Sequence, residues 1–222
     1  MDQESAENRS FKNLEEPKRA LDYYMKTLET LQAELPGDNE DVANILDYIG
    51  MVYSDLNEPQ KAFEFHIQSL EMRERLFPEP NVQVATSYNN VGLVSVFLHK
   101  PEQALQSHLK ALEIRKKELH QDHAEIVTSL DNIGIAYKEN EQLDKAIEFH
   151  EQALEIKKKS LPEFHPHVAT SYENLAQIYK LNGQNEKSLE YFEKALEQGK
   201  FLLSAEHPYL VELEKKIESI KA

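Results

Sequence analysis

Three histidines recur at a fixed interval and are the first residues whose chemistry suggests a metal site. His66, His108 and His150 lie 42 residues apart, and imidazole nitrogen is a frequent zinc ligand. One zinc ion needs its ligands at about 2 Å. A regular interval of 42 residues indicates successive structural units, which lie too far apart for their histidines to share one ion. We therefore interpret them as packed, hydrogen-bonded histidines and predict no metal site.

Two closer histidine pairs fall in the breaks between predicted helices. His120 and His123 form one pair, and His165 and His167 form the other. Neither pair has further ligands at the spacing of a metal site. We interpret these histidines as turn and capping residues.

The chain has no sequence motif that is typical of an active site. It contains no cysteine, which excludes a disulfide framework, a thiolate metal site and a cysteine nucleophile. It also lacks a phosphate-binding glycine loop, a nucleophile elbow and a His-Glu-x-x-His segment. Paired carboxylates are frequent, but an acidic helix surface supplies them without any catalytic role. The sequence predicts a protein that is not an enzyme and has no cofactor.

Basic residues cluster near the predicted carboxyl ends of three helices. The clusters are Arg73 with Arg75, residues 115–117 and residues 157–159. Cations in the last turn of a helix complement the helix dipole, which accounts for most of them. A basic stripe for acidic partners is the functional alternative.

The charge of the chain limits its classes of partner. The formal net charge is −15, which repels nucleic-acid phosphates and anionic lipids and leaves basic or neutral peptides as favoured partners. No segment approaches the roughly 18 apolar residues of a membrane span. Residues 1–14 carry charges throughout and lack the apolar core of a secretory signal. We expect a cytoplasmic protein that binds neither nucleic acid nor membranes.

A 42-residue repeat organises the chain. One pair of adjacent residues recurs as Val42-Ala43, Val84-Ala85, Ile126-Val127 and Val168-Ala169. Small residues recur as Gly50, Gly92, Gly134 and Ala176, and as Ala20, Ala62, Ala104, Ala146 and Ser188. Leu28, Leu70, Leu112, Leu154 and Leu196 recur in the same way, and Pro17, Pro59 and Pro101 fit the first turn of a helix. A glycine inside a helix costs about 1 kcal/mol relative to alanine, so the glycine column predicts a close helix contact.

Each repeat reads as two helices. In the second copy, residues 82–98 carry apolar or small residues at i, i+1, i+4, i+7, i+8 and i+11, and residues 101–119 repeat the helical pattern. Short breaks such as residues 77–81 and 161–166 separate the pairs, and β-branched clusters flanked by hairpin turns are missing. The fold class predicted is all-α, with ten helices.

These repeats resemble tetratricopeptide repeats, lengthened from the usual 34 residues to 42. Residues 165–176 and 145–159 look most similar to kinesin light chain and nephrocystin-type proteins. The resemblance covers residues 17–205 and implies a right-handed α-solenoid, a superhelix of antiparallel helical hairpins. We expect a frayed or partial helix at 1–16, a half repeat at 17–38, repeats at 39–80, 81–122, 123–164 and 165–206, and a capping helix at 207–222. The capping helix is expected to pack through Val211, Leu213, Ile217 and Ile220.

The resemblance also implies that the first helix of each repeat lines a concave groove. On a helical wheel, one face lies opposite the core stripe of these helices. The peptide-binding residues predicted on this face are Asn90, Asn132, Asn174, Thr86, Leu93, Phe97, Thr128, Ile135, Thr170, Gln177, Tyr48 and Met51.

Asparagine and apolar residues are the two signals on that face. Asn90, Asn132 and Asn174 form a column, and an amide can pair with both the N–H and the C=O of an extended peptide. Tyr48 interrupts the column in the first repeat. Apolar residues, among them Val94 and Leu181, lie on or beside the same face and suggest a binding patch. The alternatives are an inherited solvated asparagine and apolar residues that the superhelix buries.

The sequence thus favours a non-enzymatic protein–protein interaction adaptor. Its groove would hold an extended peptide segment of a partner protein. One alternative is a regulatory domain that senses a peptide and changes superhelical pitch on binding. Another is a scaffold that self-associates through the ends of the array.

Overall fold

The computed structural model describes residues 3–35 and 37–221, with side chains from residue 15. The helices are α1 (Gln3–Glu34), α2 (Glu40–Asp55), α3 (Pro59–Leu76), α4 (Val82–Phe97), α5 (Pro101–Glu118), α6 (Ala124–Glu139), α7 (Leu143–Ser160), α8 (Pro166–Leu181), α9 (Asn185–Leu202) and α10 (Pro208–Lys221). No strand occurs within these described ranges. The all-α prediction and the helical pairs are confirmed.

The chain divides into two compact units, Met1–Glu118 and Leu119–Ala222. In the first unit α1 to α5 pack in chain order, and α2 also contacts α4. In the second unit α6 to α10 pack in chain order. We call α2, α4, α6 and α8 the first helices, and α3, α5, α7 and α9 the second helices. Short connections make each first helix antiparallel to the second helix that follows it.

The first helices begin at side-chain caps. The Asn81 carboxamide accepts the Gln83 backbone N–H at 2.7 Å, and Asn39 caps α2 in the same way. His123 and His165 cap α6 and α8 through Nδ1, at 3.2 and 3.1 Å from the backbone nitrogens of Glu125 and His167. The capping role predicted for these two histidines is confirmed, because each satisfies an N–H that the helix leaves unpaired.

The turn inside each hairpin uses a left-handed backbone residue. Asn57, His99, Glu141 and Gly183 follow the four first helices at 42-residue intervals, and their φ angles are 58°, 54°, 56° and 71°. Only one of the four is glycine, although glycine is the usual residue at such a helix end. The short αL turn lets the chain reverse, so that the second helix packs back on the first.

Each glycine of the column lies at a contact between the two helices of a hairpin and faces an imidazole. A Cβ on Gly92 would lie 2.6 Å from His108 Cε1, and Gly50 and Gly134 face His66 and His150 equally closely. The missing side chain therefore makes room for an imidazole from the second helix. In the fourth repeat Ala176 packs against Phe192 instead.

Small residues of the second helices pack in the interior of the hairpins. Ala62, Ala104, Ala146 and Ser188 are fully buried, in agreement with the close contact expected there. Ser188 Oγ donates to the Ala176 carbonyl at 2.8 Å, which satisfies its buried hydroxyl.

Three sequence expectations differ from the structure. Pro17 lies inside a continuous α1 and not in a first turn. Val94 is buried, because its side chain belongs to the core face of α4. In α10, Leu210 is buried with Leu213 and Ile217, whereas Val211 is exposed.

Candidate binding surface and buried polar network

In the first unit, an apolar group of side chains is exposed on the first helices. Phe97 is 69% exposed, Met51 53% and Leu93 38%, and Tyr48 is also exposed. Met51 and Leu93 occupy equivalent repeat positions on α2 and α4, two helices that contact each other. We call the solvent-facing side of the first helices the first-helix surface. Four residues that were predicted to bind peptide thus lie on the first-helix surface of one unit.

In the second unit, the first-helix surface contains a cavity. The cavity has a volume of about 210 Å³ and lies between α6 and α8. Its lining includes Ile135, Asn174, Gln177 and Leu181. Leu181 is 64% exposed, so it offers apolar area at the rim. Two amides and apolar side chains, together with Lys138 and His150, are therefore combined around one concave site.

The asparagine column is partly accessible to solvent. Asn90, Asn132 and Asn174 are half-buried on α4, α6 and α8. Among the described residues, Asn90 and Asn174 have no side-chain hydrogen-bond partner, so their amides are available to a ligand.

The threonine hydroxyls are occupied within their own helices. Thr86, Thr128 and Thr170 donate to the carbonyls four residues earlier at 3.0, 3.0 and 3.1 Å. Their contribution to a ligand would therefore come from their methyl groups and from the acceptor capacity of their hydroxyl oxygens.

A buried polar network links the helices of the first unit. His66 Nδ1 lies 2.8 Å from Asp47 Oδ1, and Arg73 donates to both Asp47 Oδ2 and Ser87 Oγ. Arg73 Nη2 also donates to Asn44 Oδ1 at 2.7 Å. The network therefore ties α2, α3 and α4 together through hydrogen-bonded ionic groups.

The charge state of this network follows from its contacts. Burial by itself would raise the pKa of Asp47, but the hydrogen bond with His66 and the charge of Arg73 outweigh burial and lower the pKa. Asp47 is therefore ionised at neutral pH, and its charge is compensated inside the core. Removing one partner of such a buried pair typically costs about 3–5 kcal/mol.

The second unit repeats the network with one substitution. His150 Nδ1 lies 3.0 Å from Asp131 Oδ1, while Lys157 Nζ donates to Asp131 Oδ2 at 2.7 Å and to Ser171 Oγ at 2.6 Å. Burial opposes ionisation of Asp131, but hydrogen bonding with His150 and the Lys157 charge lower its pKa. Lysine thus stands where the first unit has arginine.

The basic residues Arg73 and Lys157 point inward, which the sequence did not predict. We expected them to complement helix dipoles at the surface, yet each compensates a carboxylate on the preceding helix, which is buried for Asp47 and half-buried for Asp131. The signal available in the sequence was spacing: Arg73 and Lys157 each lie 26 residues after an aspartate and 14 residues before a serine. The neighbouring Arg75 instead pairs on the surface with Asp38.

His108 has the same position as His66 and His150 but different surroundings. Asn89 stands where the other two repeats have aspartate, and among the described residues neither ring nitrogen of His108 has a hydrogen-bond partner. Burial and the nearby charge of Arg115 lower the pKa of His108 to about 4. Of the three predicted hydrogen-bonded histidines, two are confirmed, and His108 is packed without the expected bond.

The described ranges offer neither a metal-ion cluster nor a membrane-spanning helix. There, no cluster of three or more His, Asp or Glu side chains could hold a metal ion. Within the same part of the chain, no helix has the length and apolarity needed to cross a membrane.

Comparison with known proteins identifies the repeats. Tetratricopeptide repeat models match residues 11–75, 83–159 and 169–198. No curated protein matches the chain. Tetratricopeptide repeats generally act as protein–protein interaction modules and not as catalysts.

Solved structures with similar folds cover most of the chain. BtubC (BKLC) from P. vanneervenii is 25% identical with a TM-score of 0.77, over 87% of this chain and 77% of that one. A putative kinesin light chain from Podosopora anserina is 21% identical with a TM-score of 0.74, over 82% and 87%. The apo form of RapI is 25% identical with a TM-score of 0.72, over 83% and 64%. The helical pairs, their 42-residue register and the matched family models together establish that this chain belongs to the tetratricopeptide repeat family.

Proposed function

We propose that the protein is an interaction adaptor whose first-helix surface binds an extended peptide segment of a partner protein. The observation that carries this proposal is the 210 Å³ cavity of the second unit, which combines the Asn174 amide with Ile135 and Leu181. An amide can pair with a peptide backbone, while apolar walls accept a side chain.

The exposed residues of the first unit support the same role. Phe97, Met51 and Leu93 present apolar area to solvent on the side that carries Asn90. Fully burying a side chain of this size stabilises a complex by about 1.5–3 kcal/mol. Exposed apolar groups beside a backbone-pairing amide suit a peptide ligand, and the net charge of −15 favours a basic or neutral one.

The test is a proteome-scale peptide display selection against the purified chain. We expect one linear motif to be enriched. The triple variant N90A/N132A/N174A should keep its helicity but bind that motif at least tenfold more weakly, since each lost hydrogen bond contributes about 0.5–1.5 kcal/mol.

A matched control shows whether the loss of binding is specific to amides on the first-helix surface. The variant Q60A/Q106A/Q152A removes three exposed amides from the second helices and should bind normally. F97D should weaken binding while the protein stays folded, because Phe97 lies outside the core. Unchanged affinity in the asparagine variant would remove the amides from the proposal. Absence of any enriched motif would refute it in favour of self-association or recognition of folded domains.

A further inference from the structure

The second unit contains a larger cavity that neither the repeat pattern nor the family membership explains. Its volume is about 400 Å³, within the range of about 300–1,000 Å³ typical of small-ligand sites. It lies at the amino-terminal ends of α6 and α8, beside the carboxyl end of α7. Val127 and Leu161 supply apolar wall, Thr128 lines the side, and Lys157 and Asp131 contribute the charged part.

The equivalent place in the first unit is bridged by a longer side chain. Arg73 and Asn44 precede Lys157 and Thr128 by 84 residues. There the guanidinium Nη2 reaches Asn44 Oδ1 at 2.7 Å while Nη1 holds Asp47 and Ser87. In the second unit, the lysine reaches only Asp131 and Ser171, and Thr128 bonds back to the Ala124 carbonyl. Arginine thus bridges to the first-helix residue in the first unit, and the lysine of the second unit does not.

The charges around this cavity define the class of ligand. An ammonium has three N–H donors, and Lys157 gives two of them to Asp131 and Ser171. The third remains for an acceptor inside the cavity. Asp131 neutralises the lysine, and Asp122 adds a negative charge to a lining that also contains His167, so a neutral ligand is favoured over a carboxylate. A neutral carbonyl next to an aliphatic group satisfies both the donor and the apolar wall.

The cavity continues the first-helix surface of its unit. Thr128 lies on the face of α6 that also carries Ile135, which lines the 210 Å³ cavity. Seven residues of helix separate the two by about 10.5 Å. A polyproline II segment advances about 3.1 Å per residue with three residues per turn, which places residues i and i+3 on one side about 9.3 Å apart.

We propose that these two cavities accept aliphatic side chains at positions i and i+3 of one bound peptide, and that Lys157 donates a hydrogen bond to a backbone carbonyl of the residue at the larger cavity. This inference rests on the proposed function, since it specifies the peptide that the first-helix surface recognises.

The test uses N-acetyl-leucine methylamide as a probe of the larger cavity in the full chain. Methyl resonances of Val127 and Leu161 should shift saturably with the leucine probe and remain unchanged with N-acetyl-serine methylamide. The variant T128N/K157R restores the pair found in the first unit and should weaken the probe's binding at least tenfold. Its fold is checked by amide dispersion and helicity, and T128N alone, which leaves the Lys157–Asp131 pair intact, provides a second variant with the same expected direction.

The outcomes separate this inference from the proposed function. Val127 and Leu161 report the larger cavity alone, so the control variant Q60A/Q106A/Q152A, at exposed positions of the second helices, should leave their saturable shifts unchanged. No saturable shift, or equal shifts in T128N/K157R, would overturn the cavity assignment even if display selection enriches a motif. An enriched motif without aliphatic residues at i and i+3 would overturn the spacing. Saturable probe binding without any enriched motif would support the cavity and contradict the peptide adaptor.

Discussion

Single substitutions give equivalent positions different chemistry in successive repeats. His66 and His150 each contact an aspartate, whereas His108 occupies a buried site beside Arg115 without a hydrogen-bond partner among the described residues. The three imidazoles fill the same space against a glycine, yet only two of them belong to an ionic network. Packing therefore sets where the ring lies, and the presence or absence of an aspartate at the facing position decides whether the ring joins an ionic network.

At the residue scale, His108 should make stability depend on pH. Its pKa is lowered from 6.5 to about 4, first by burial and then by Arg115. The folded state therefore favours the neutral ring, so the contribution is full above pH 6.5 and is lost as the pH falls from 6.5 towards 4. The loss should amount to about 3 kcal/mol across this window. Urea unfolding at several pH values measures it.

The control variant for this prediction is H108F, which copies Phe192 of the fourth repeat. Phenylalanine does not titrate and leaves no ring nitrogen unpaired, so the slope in this window should become shallower. The lowered pKa values of Asp47 and Asp131 act in a different range, since their stabilisation is lost only as the pH falls below about 4. Parallel curves for the wild type and H108F between pH 7 and 4 would contradict the assignment.

At the element scale, each hairpin depends on the match between a small residue and a ring. The second helix contributes His66, His108 or His150, and the first helix contributes the glycine that admits it. The fourth repeat uses a different matched pair, Ala176 with Phe192. Helix propensity alone would favour alanine at every one of these positions, so the glycines persist because packing outweighs propensity.

The G92A substitution tests this balance. Alanine gains about 1 kcal/mol in helix propensity, but its Cβ would lie 2.6 Å from His108. Overpacking of this kind costs about 1–3 kcal/mol, so we expect net destabilisation. In an H108A background the ring is gone, and G92A should become neutral or stabilising. A double-mutant cycle by urea unfolding measures the coupling, and equal costs in both backgrounds would refute it.

At the scale of the whole molecule, the principal contacts within each unit join helices that are neighbours in the chain. α6 to α10 follow one another in this way, and in the first unit α2 with α4 is a further contact. Stability in such an array is approximately a sum of local and nearest-neighbour terms. The response to a destabilising substitution should therefore decay along the chain.

Leu213 of α10 provides the test, because it is completely buried. L213A should cost about 2–5 kcal/mol locally. Hydrogen exchange should accelerate in α9 and α10 and remain close to wild type in α2 and α3. V211A, at an exposed position of the same helix, is the matched control. Equal acceleration throughout the chain would contradict the nearest-neighbour description.

Sequence alone was sufficient for the architecture. The 42-residue register, the helical stripes and the breakers predicted the helix pairs, and helices such as α4 and α5 end within one residue of the predicted limits. This succeeds because the apolar period of a helix is a local property. Exposure of Phe97, Leu93 and Met51 also follows from the helical wheel, whereas binding at these residues stays a prediction.

Tertiary contacts decided the rest. Whether Arg73 or Lys157 faces solvent depends on a carboxylate 26 residues earlier in the chain, and that partner is met only when the helices pack. Burial of Val94 likewise depends on neighbouring elements. The cavity beside Lys157 also depends on tertiary contacts. Its walls come from three helices, so the space beside Lys157 forms only in the folded chain.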